Sequence, residues 1–366
     1  MSQQAITRAT TAALLTLSLS LPLRAQLRSS DLEGIERHRK SLEETRRREA
    51  PPILQSLDDP VESSQGITSL TGTWDFLEKE DADPNGRAEQ PAETPVTLDI
   101  SSTTLRERLS VLPKELTVPW SEELEAQVAD YVVRHASYMG SIIGKWEYYD
   151  ALFRPVFERY GIPGDVTALA IVESAMNPLA LSSAGARGMW QFMPETARRF
   201  GLRVDNYVDE RLDCRKSAEA AAQFLRNAYT AFGDWALAIS SYNCGRANVE
   251  RAIHLAGTTD YWSVHRFLPE ETRGYMPAFV AALYSINFYK LHDIRIRNYS
   301  EPASATYKIY RQMTFREIAD ATGVPRGDLK RLNPQYQAGI IPANEKGFLL
   351  RLPQRFSKAF KEKMKK

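Results

Sequence analysis

Between residues 118 and 292 the apolar positions recur at helical spacing, and no strand-like alternation of useful length interrupts them. In VPWSEELEAQVADYVVRHASYMG, Leu124, Val128, Tyr131 and Val132 fall on one helical face after Ser121 and an acidic first turn. KWEYYDALFRPVFERYGIPG continues as an aromatic-rich helix that Gly161 and Pro163 end, and Asp165 opens a further helix, DVTALAIVES. MPETARRFG, KSAEAAAQFLRNAYTAFG, DWALAISSYN and GRANVERAIH follow, each bounded by Gly, Asp, Ser or Pro. ETRGYMPAFVAALYSINFYKLH closes the series as a long helix with Pro277 near its start. The spacing predicts an all-α main domain.

The pattern changes from residue 303 onwards. TYKIY and FLLRLP have the character of short strands around two short helices, FREIADATG and RGDLKRLN, which predicts a small βααβ module over 303–354. A core of that size supplies little stability by itself. The last twelve residues, 355–366, form a basic tail and are expected to be a solvated helical end. Residues 26–114 are charge-dense and are expected to be a loose or partly disordered N-terminal region, with LTGTWDFL as a short docking segment inside it.

Composition narrows the function classes. The chain has 366 residues and a net charge of +1, so no global field favours a nucleic acid, and no nucleic-acid-binding signature is present. Arg8, the short apolar run 12–23 and Ala25 read as a secretory signal over residues 1–25, the alternative being a short N-terminal core helix. No cysteine lies near that cleavage point to carry a lipid, and no later run has the length of a membrane span. The expected product is an exported protein of the periplasm or cell envelope, associated with the envelope at most peripherally. Its oligomeric state is open. Pairing of its two cysteines, Cys214 and Cys244, is open too. The five histidines have no metal-type spacing, so neither a metal nor another cofactor is expected.

The candidate chemistry lies in IVESAMNPLALSSAGARGMWQF, residues 171–192. On a helix starting near Val166, Val166, Leu169 and Ala170 share a face with Glu173, so this carboxyl points the same way as the apolar stripe. Burial there disfavours the charged form and leaves a carboxylic acid able to donate a proton near neutral pH. From spacing alone, a helix-end glutamate bonded to a backbone amide is an equal alternative. Gly185 and Gly188 permit close approach of backbone to a ligand, Ser182 and Ser183 add hydroxyls, Trp190 and Phe192 add apolar area, and Gln191 adds a neutral amide. SYNCG then places Tyr242 and Asn243 at a helix end.

Four ordered motifs, ES (173–174), SSAGARGMWQFMP (182–194), SYNCG (241–245) and ETRGYMPAF (271–279), resemble the goose-lysozyme-like lytic transglycosylases, and within them the membrane-bound D branch. DERLD (209–213) and YWSVHRFLPE are similar to that branch as well. The resemblance spans about residues 115–295. It implies a lysozyme-like helical catalytic domain over 115–300, and MTFREIADATGVPRGDLKRLNPQY with FLLRLP is similar to the degenerate LysM-like module that follows such domains. It further implies Glu173 as the single catalytic acid and Ser182, Met189, Trp190, Gln191, Tyr242, Asn243 and Tyr275 as substrate-binding residues. Where some relatives read Gly-Leu-Met-Gln, this chain reads Gly-Met-Trp-Gln, which makes Trp190 a bulkier groove residue.

The activity so implied is cleavage of the β-1,4 bond between N-acetylmuramic acid and N-acetylglucosamine in peptidoglycan, with ring closure to a 1,6-anhydro sugar during cell-wall remodelling. A second carboxylate, as ordinary glycoside hydrolysis requires, has candidates in Glu195, Asp209, Glu210, Asp213 and Asp234. Asp234 reads as a helix cap and DER as a charged structural cluster. Three other readings stay open: a hydrolysing lysozyme-type muramidase, a non-catalytic peptidoglycan-binding protein and an envelope scaffold.

Overall fold

The computed structural model describes residues 102–363, so the expected signal (1–25), most of the charged N-terminal region and the end of the basic tail lie outside the described residues. The chain opens with α1 (Ser102–Leu109) and α2 (Glu122–Ala129), the second capped by Ser121, whose hydroxyl accepts from the Leu124 amide at 3.1 Å. A π-helical turn, Asp130–Arg134, leads into α3 (Ala136–Arg159), and a 3₁₀ turn, Gly164–Ala168, leads into the short α4 (Leu169–Ser174). Then come α5 (Pro194–Arg199), α6 (Cys214–Phe232), α7 (Trp235–Cys244), α8 (Arg246–Ala256), α9 (Tyr261–His265), α10 (Glu270–Arg273) and α11 (Tyr275–Phe288).

Helix boundaries follow the caps that the composition marks. Asp213 accepts from the Arg215 and Lys216 amides to start α6, and Gly233, at φ 68°, ends it. Asp234 accepts from the Leu237 amide to start α7. The sequence of α11 is apolar all round, and every residue of it except Asn287 is buried. It runs through the core with α2, α4 and α7 packed on it. The helical body also takes in the stretch before 115: Leu105, Leu109, Val111 and Leu112 lie in the main core. Four apolar residues in an otherwise polar stretch suffice to dock α1, so residues 102–114 do not belong to a loose N-terminal region as their composition implied.

A second, smaller core belongs to residues 304–363. Strands β1 (Ser304–Ile309) and β4 (Phe348–Pro353) pair antiparallel in register Ser304 to Pro353 through Ile309 to Phe348, and β2 (Met313–Thr314) pairs with β3 (Ile340–Ile341). Helices α12 (Phe315–Thr322) and α13 (Arg326–Leu332) lie between the strands, as expected of a βααβ unit. The basic tail departs from its expectation as a solvated end. It forms α14 (Ser357–Lys363), whose Phe360 is buried against Tyr307 at 4.5 Å between ring centroids. One aromatic on an otherwise charged helix is enough to seat it.

The segment joining the two cores runs close along α3. A Cβ built on Gly140 would stand 2.1 Å from the Arg295 carbonyl oxygen, and one on Gly144 would stand 1.9 Å from that of Arg297. The Arg297 amide donates to the Gly140 carbonyl at 3.0 Å. Gly144→Ala is therefore expected to destabilise the protein by about 2 kcal/mol through overpacking, even though alanine favours a helix by up to about 1 kcal/mol. Chemical denaturation checks the sign; a neutral or stabilising substitution contradicts this packing.

Candidate active site

The segment carrying Glu173 is fixed from behind by charge. Asp165 accepts from both Nη atoms of Arg154 at 3.2–3.3 Å, and Arg154 Nε donates to Asp150 at 2.7 Å, which ties the 3₁₀ turn to α3. All six residues of α4 are buried. The helix starts at Leu169, later than the spacing predicts, because 164–168 adopt the tighter 3₁₀ geometry; the apolar stripe and Glu173 still face inward. The chain then leaves Ser174 through two consecutive left-handed residues, Ala175 (φ 49°) and Met176 (φ 61°). Non-glycine residues in that region cost backbone energy and cluster at functional sites.

Glu173 is 3% exposed. Its carboxylate Oε1 accepts from the Tyr275 hydroxyl at the start of α11, and no basic side chain pairs with it among the described residues. Burial dominates, so the carboxyl pKa is pushed up to about 8, with the Tyr275 hydrogen bond pulling the other way. Tyr275 and Tyr242 are both held well above the ordinary phenol range, by burial first and then by the neighbouring Glu173 charge. This resolves the ambiguity of the spacing: Glu173 is a buried acid held by a side-chain hydroxyl.

The following loop is held by its backbone carbonyls. Ser174 Oγ donates to the Met189 carbonyl at 2.9 Å, and Tyr242 Oη donates to the Trp190 carbonyl at 2.8 Å. Arg211 Nη1 donates to the carbonyls of Gly185 (2.9 Å) and Phe192 (3.0 Å). Gly188, at φ 81°, passes so near Arg211 that a Cβ there would meet its carbonyl oxygen at 2.1 Å. Ser182 closes the tip, its Oγ accepting from the Ala186 amide at 2.9 Å.

The expected substrate-binding residues therefore divide. Glu173, Tyr242 and Tyr275 come together around one buried carboxyl. Asn243 sits at the end of α7 and accepts from Thr272 Oγ1 at 2.8 Å, which latches α7 to α10 beside Tyr275. Ser182 and Met189 shape the loop. Trp190 differs from its expectation as a bulky groove residue. It is fully buried, stacked on Phe157 and edge-on to Phe153, both at 5.2 Å, because α3 offers an aromatic slot that satisfies the indole area. Gln191 is likewise interior, at φ 46°, with Nε2 donating to the carbonyls of Gly188 (2.7 Å) and Ala180 (3.3 Å). Ser174, Thr272 and Arg211 were not singled out from the sequence, although each lies inside a quoted motif: ES, ETRGY and DERLD.

Four of the five candidate second acids, Asp209, Glu210, Asp213 and Asp234, are engaged elsewhere. Asp209 grips Arg211 through Nε (2.9 Å) and Nη2 (2.8 Å), Glu210 holds the Arg203 amide (2.8 Å) and pairs with Lys216, and Asp213 caps α6. Asp234 caps α7, and Glu195 is an exposed residue paired with Arg198 at 3.7 Å. Cys214 and Cys244 are separate thiols, and the described residues hold no group of side chains arranged to bind a metal.

Residues 158–265 match the model of the transglycosylase SLT domain, and residues 303–366 match that of the lytic transglycosylase MltD, LysM-like domain. The chain thus carries a lysozyme-like transglycosylase SLT domain followed by an MltD LysM-like domain. It is homologous to membrane-bound lytic murein transglycosylase D of Escherichia coli strain K12, with 27% identity over 256 residues, or 68% of this chain and 56% of that one. The soluble lytic murein transglycosylase of the same strain is 29% identical over 177 residues, covering 43% of this chain and 27% of that protein. The chain spans little more than half the length of the first of these relatives. A crystal structure of the 70 kDa soluble lytic transglycosylase from Escherichia coli overlaps with a TM-score of 0.33 and 20% identity, covering 74% of this chain and 44% of that one, a likeness too slight to argue from.

A carboxyl whose folded pKa is raised binds its proton more tightly in the native state than in the unfolded one. Its contribution to stability is complete below the unfolded value near 4.5 and is lost as pH rises through about 8. Glu173→Gln is therefore expected to match the wild-type thermal midpoint near pH 5 and to exceed it by roughly 3 °C or more near pH 9. Parallel stability curves for the two proteins contradict the burial argument.

Proposed function

We propose that the protein is a peptidoglycan lytic transglycosylase that cleaves the β-1,4 bond between N-acetylmuramic acid and N-acetylglucosamine. The observation that carries this is a buried acid with no counter-ion among the described residues, Glu173, held by Tyr275 within a transglycosylase SLT domain. Protonated at neutral pH, Glu173 donates its proton to the glycosidic oxygen as the bond from muramoyl C1 breaks. The resulting carboxylate takes the proton of the muramoyl 6-hydroxyl, whose oxygen bonds to C1. The products are a free 4-hydroxyl on one side and a 1,6-anhydro sugar on the other, with no water consumed. One carboxyl acts twice, which agrees with Asp209, Glu210, Asp213 and Asp234 being engaged in the fold and Glu195 lying exposed on the surface.

Tyr275 serves this cycle by donating to the carboxylate stage, and it limits how far burial raises the pKa. Tyr242 and Ser174 keep the adjoining loop carbonyls in place, and Asn243 with Thr272 fixes the end of α7 beside Tyr275. Contact of Ser182, Met189 and Asn243 with the glycan belongs to this reading, as does export to the periplasm or envelope, where the substrate lies, whereas the Gln191 amide is committed to the loop itself. In support of export, the first 25 residues have a signal-like pattern.

Digestion of purified sacculi tests the reading. Muropeptides ending in anhydromuramic acid, lighter by one water than the hydrolytic product, are expected from the wild type, and Glu173→Gln is expected to lose roughly 10²–10⁴-fold in rate. Reducing muramic acid ends identify a hydrolase instead, and untouched sacculi a binding protein or scaffold. Tyr275→Phe removes a donor that favours the carboxylate, so the alkaline limb of its pH-rate profile is expected to move upward; a downward move contradicts the assigned hydrogen bond.

A further inference from the structure

The LysM-like domain and the helical body share more than a linker. Val208 and Tyr336 form an antiparallel bridge, the Asp209 amide donates to the Gln335 carbonyl at 2.8 Å, and the Gln337 amide donates to the Tyr207 carbonyl at 3.1 Å. Val208 is fully buried within the smaller core, among Ile309, Met313, Phe315 and Phe348. Side chains extend the seam. Arg351 Nη2 reaches Asp213 at 3.0 Å, Arg187 Nη1 is shared between Gln337 Oε1 (2.8 Å) and Asp209 Oδ2 (3.2 Å), and the Arg203 guanidinium lies 5.2 Å from the Phe348 ring centre. A core this small gains a residue it lacks from the larger body.

The segment thus gripped is the one that grips the candidate site. Asp209 orients Arg211, and Arg211 holds the Gly185 and Phe192 carbonyls from one side. Ser174 and Tyr242, which flank Glu173, hold the Met189 and Trp190 carbonyls from the other. Arg187, within the loop itself, bonds to both the LysM-like domain and Asp209. A continuous set of hydrogen bonds therefore runs from 335–337 through 207–213 and 185–192 to the neighbours of Glu173.

We propose that the LysM-like domain is a built-in brace of the catalytic body, acting through Gln337, Arg351 and the backbone of 335–337 to hold the Asp209–Arg211 clamp and, through it, the loop beside Glu173. Gln337 and Arg351 are then positioning residues, separate from any binding of glycan by that domain. The structural part stands by itself, and the effect on turnover rests on the transglycosylase reading above.

The test compares the full-length wild type, the double variant Gln337→Ala with Arg351→Ala, and the milder Arg351→Lys. Amide hydrogen exchange is followed at 186–192 and 209–213, with α11 as internal reference, alongside kcat and KM on soluble glycan strands. In the double variant, exchange at 186–192 is expected to quicken roughly tenfold with α11 unchanged, as for a local opening. The same variant is expected to lose kcat by roughly tenfold at nearly constant KM, as when a positioning contact is loosened. Arg351→Lys is expected to recover most of both. Unchanged exchange at 186–192 overturns the brace, and so does a rise in KM alone, which marks the domain as a glycan-holding handle. If the wild type leaves glycan uncut, the functional reading fails, and the exchange data still decide the brace.

Discussion

Burying a carboxyl with a single hydroxyl donor and no cation among the described residues is costly, and the surrounding fold is arranged so that Glu173 cannot escape that situation. The fully buried α4 presents it inward, α11 closes over it and supplies Tyr275, and two left-handed residues turn the chain away immediately afterwards. The group meets the cost by keeping its proton, and that proton is what the proposed chemistry needs. Asp209 shows the opposite arrangement a short distance along the chain. It is equally buried, yet two arginines face it, so it anchors the fold through them. Two buried carboxylates thus take different roles because only one has a counter-charge.

The same contrast organises the loop between them. Its Met189 and Trp190 carbonyls are held by neutral hydroxyls, one from the residue next to the acid, and its Gly185 and Phe192 carbonyls by a guanidinium. Side chains that read as ligand contacts are turned into this scaffold. The Trp190 indole fills the aromatic slot of α3, and the Gln191 amide ties the loop to itself. The backbone carbonyls of 185–192 are held in place as well, which places a demand for precision on Gly188 above all.

Much of this was legible in the sequence, for identifiable reasons. Helix caps at Ser121 and Asp234 are local signals and fell where expected. The inward face of Glu173 followed from periodicity, although periodicity alone did not separate an acid from a capped helix end. Only the Tyr275 contact, spanning a hundred residues of chain, did that. The burial of Trp190 was not legible, because an aromatic residue suits a core and a sugar platform equally well until Phe153 and Phe157 are seen opposite it. Nor was the docking of the smaller domain, since Val208 and Tyr336 signal nothing locally. The seating of Leu105, Leu109 and Phe360 in cores is not legible either, because a few apolar residues in charged stretches weigh little in composition.

The central claim is that Glu173 stays protonated at neutral pH because it is buried without a counter-charge. Infrared difference titration of the wild type against Glu173→Gln, in deuterated buffer, observes the protonated carboxyl band directly. A band assigned to Glu173 that persists through neutrality and disappears around pH 8 is the predicted result. Loss of that band between about pH 4 and 5, the ordinary range for a glutamate, contradicts the account.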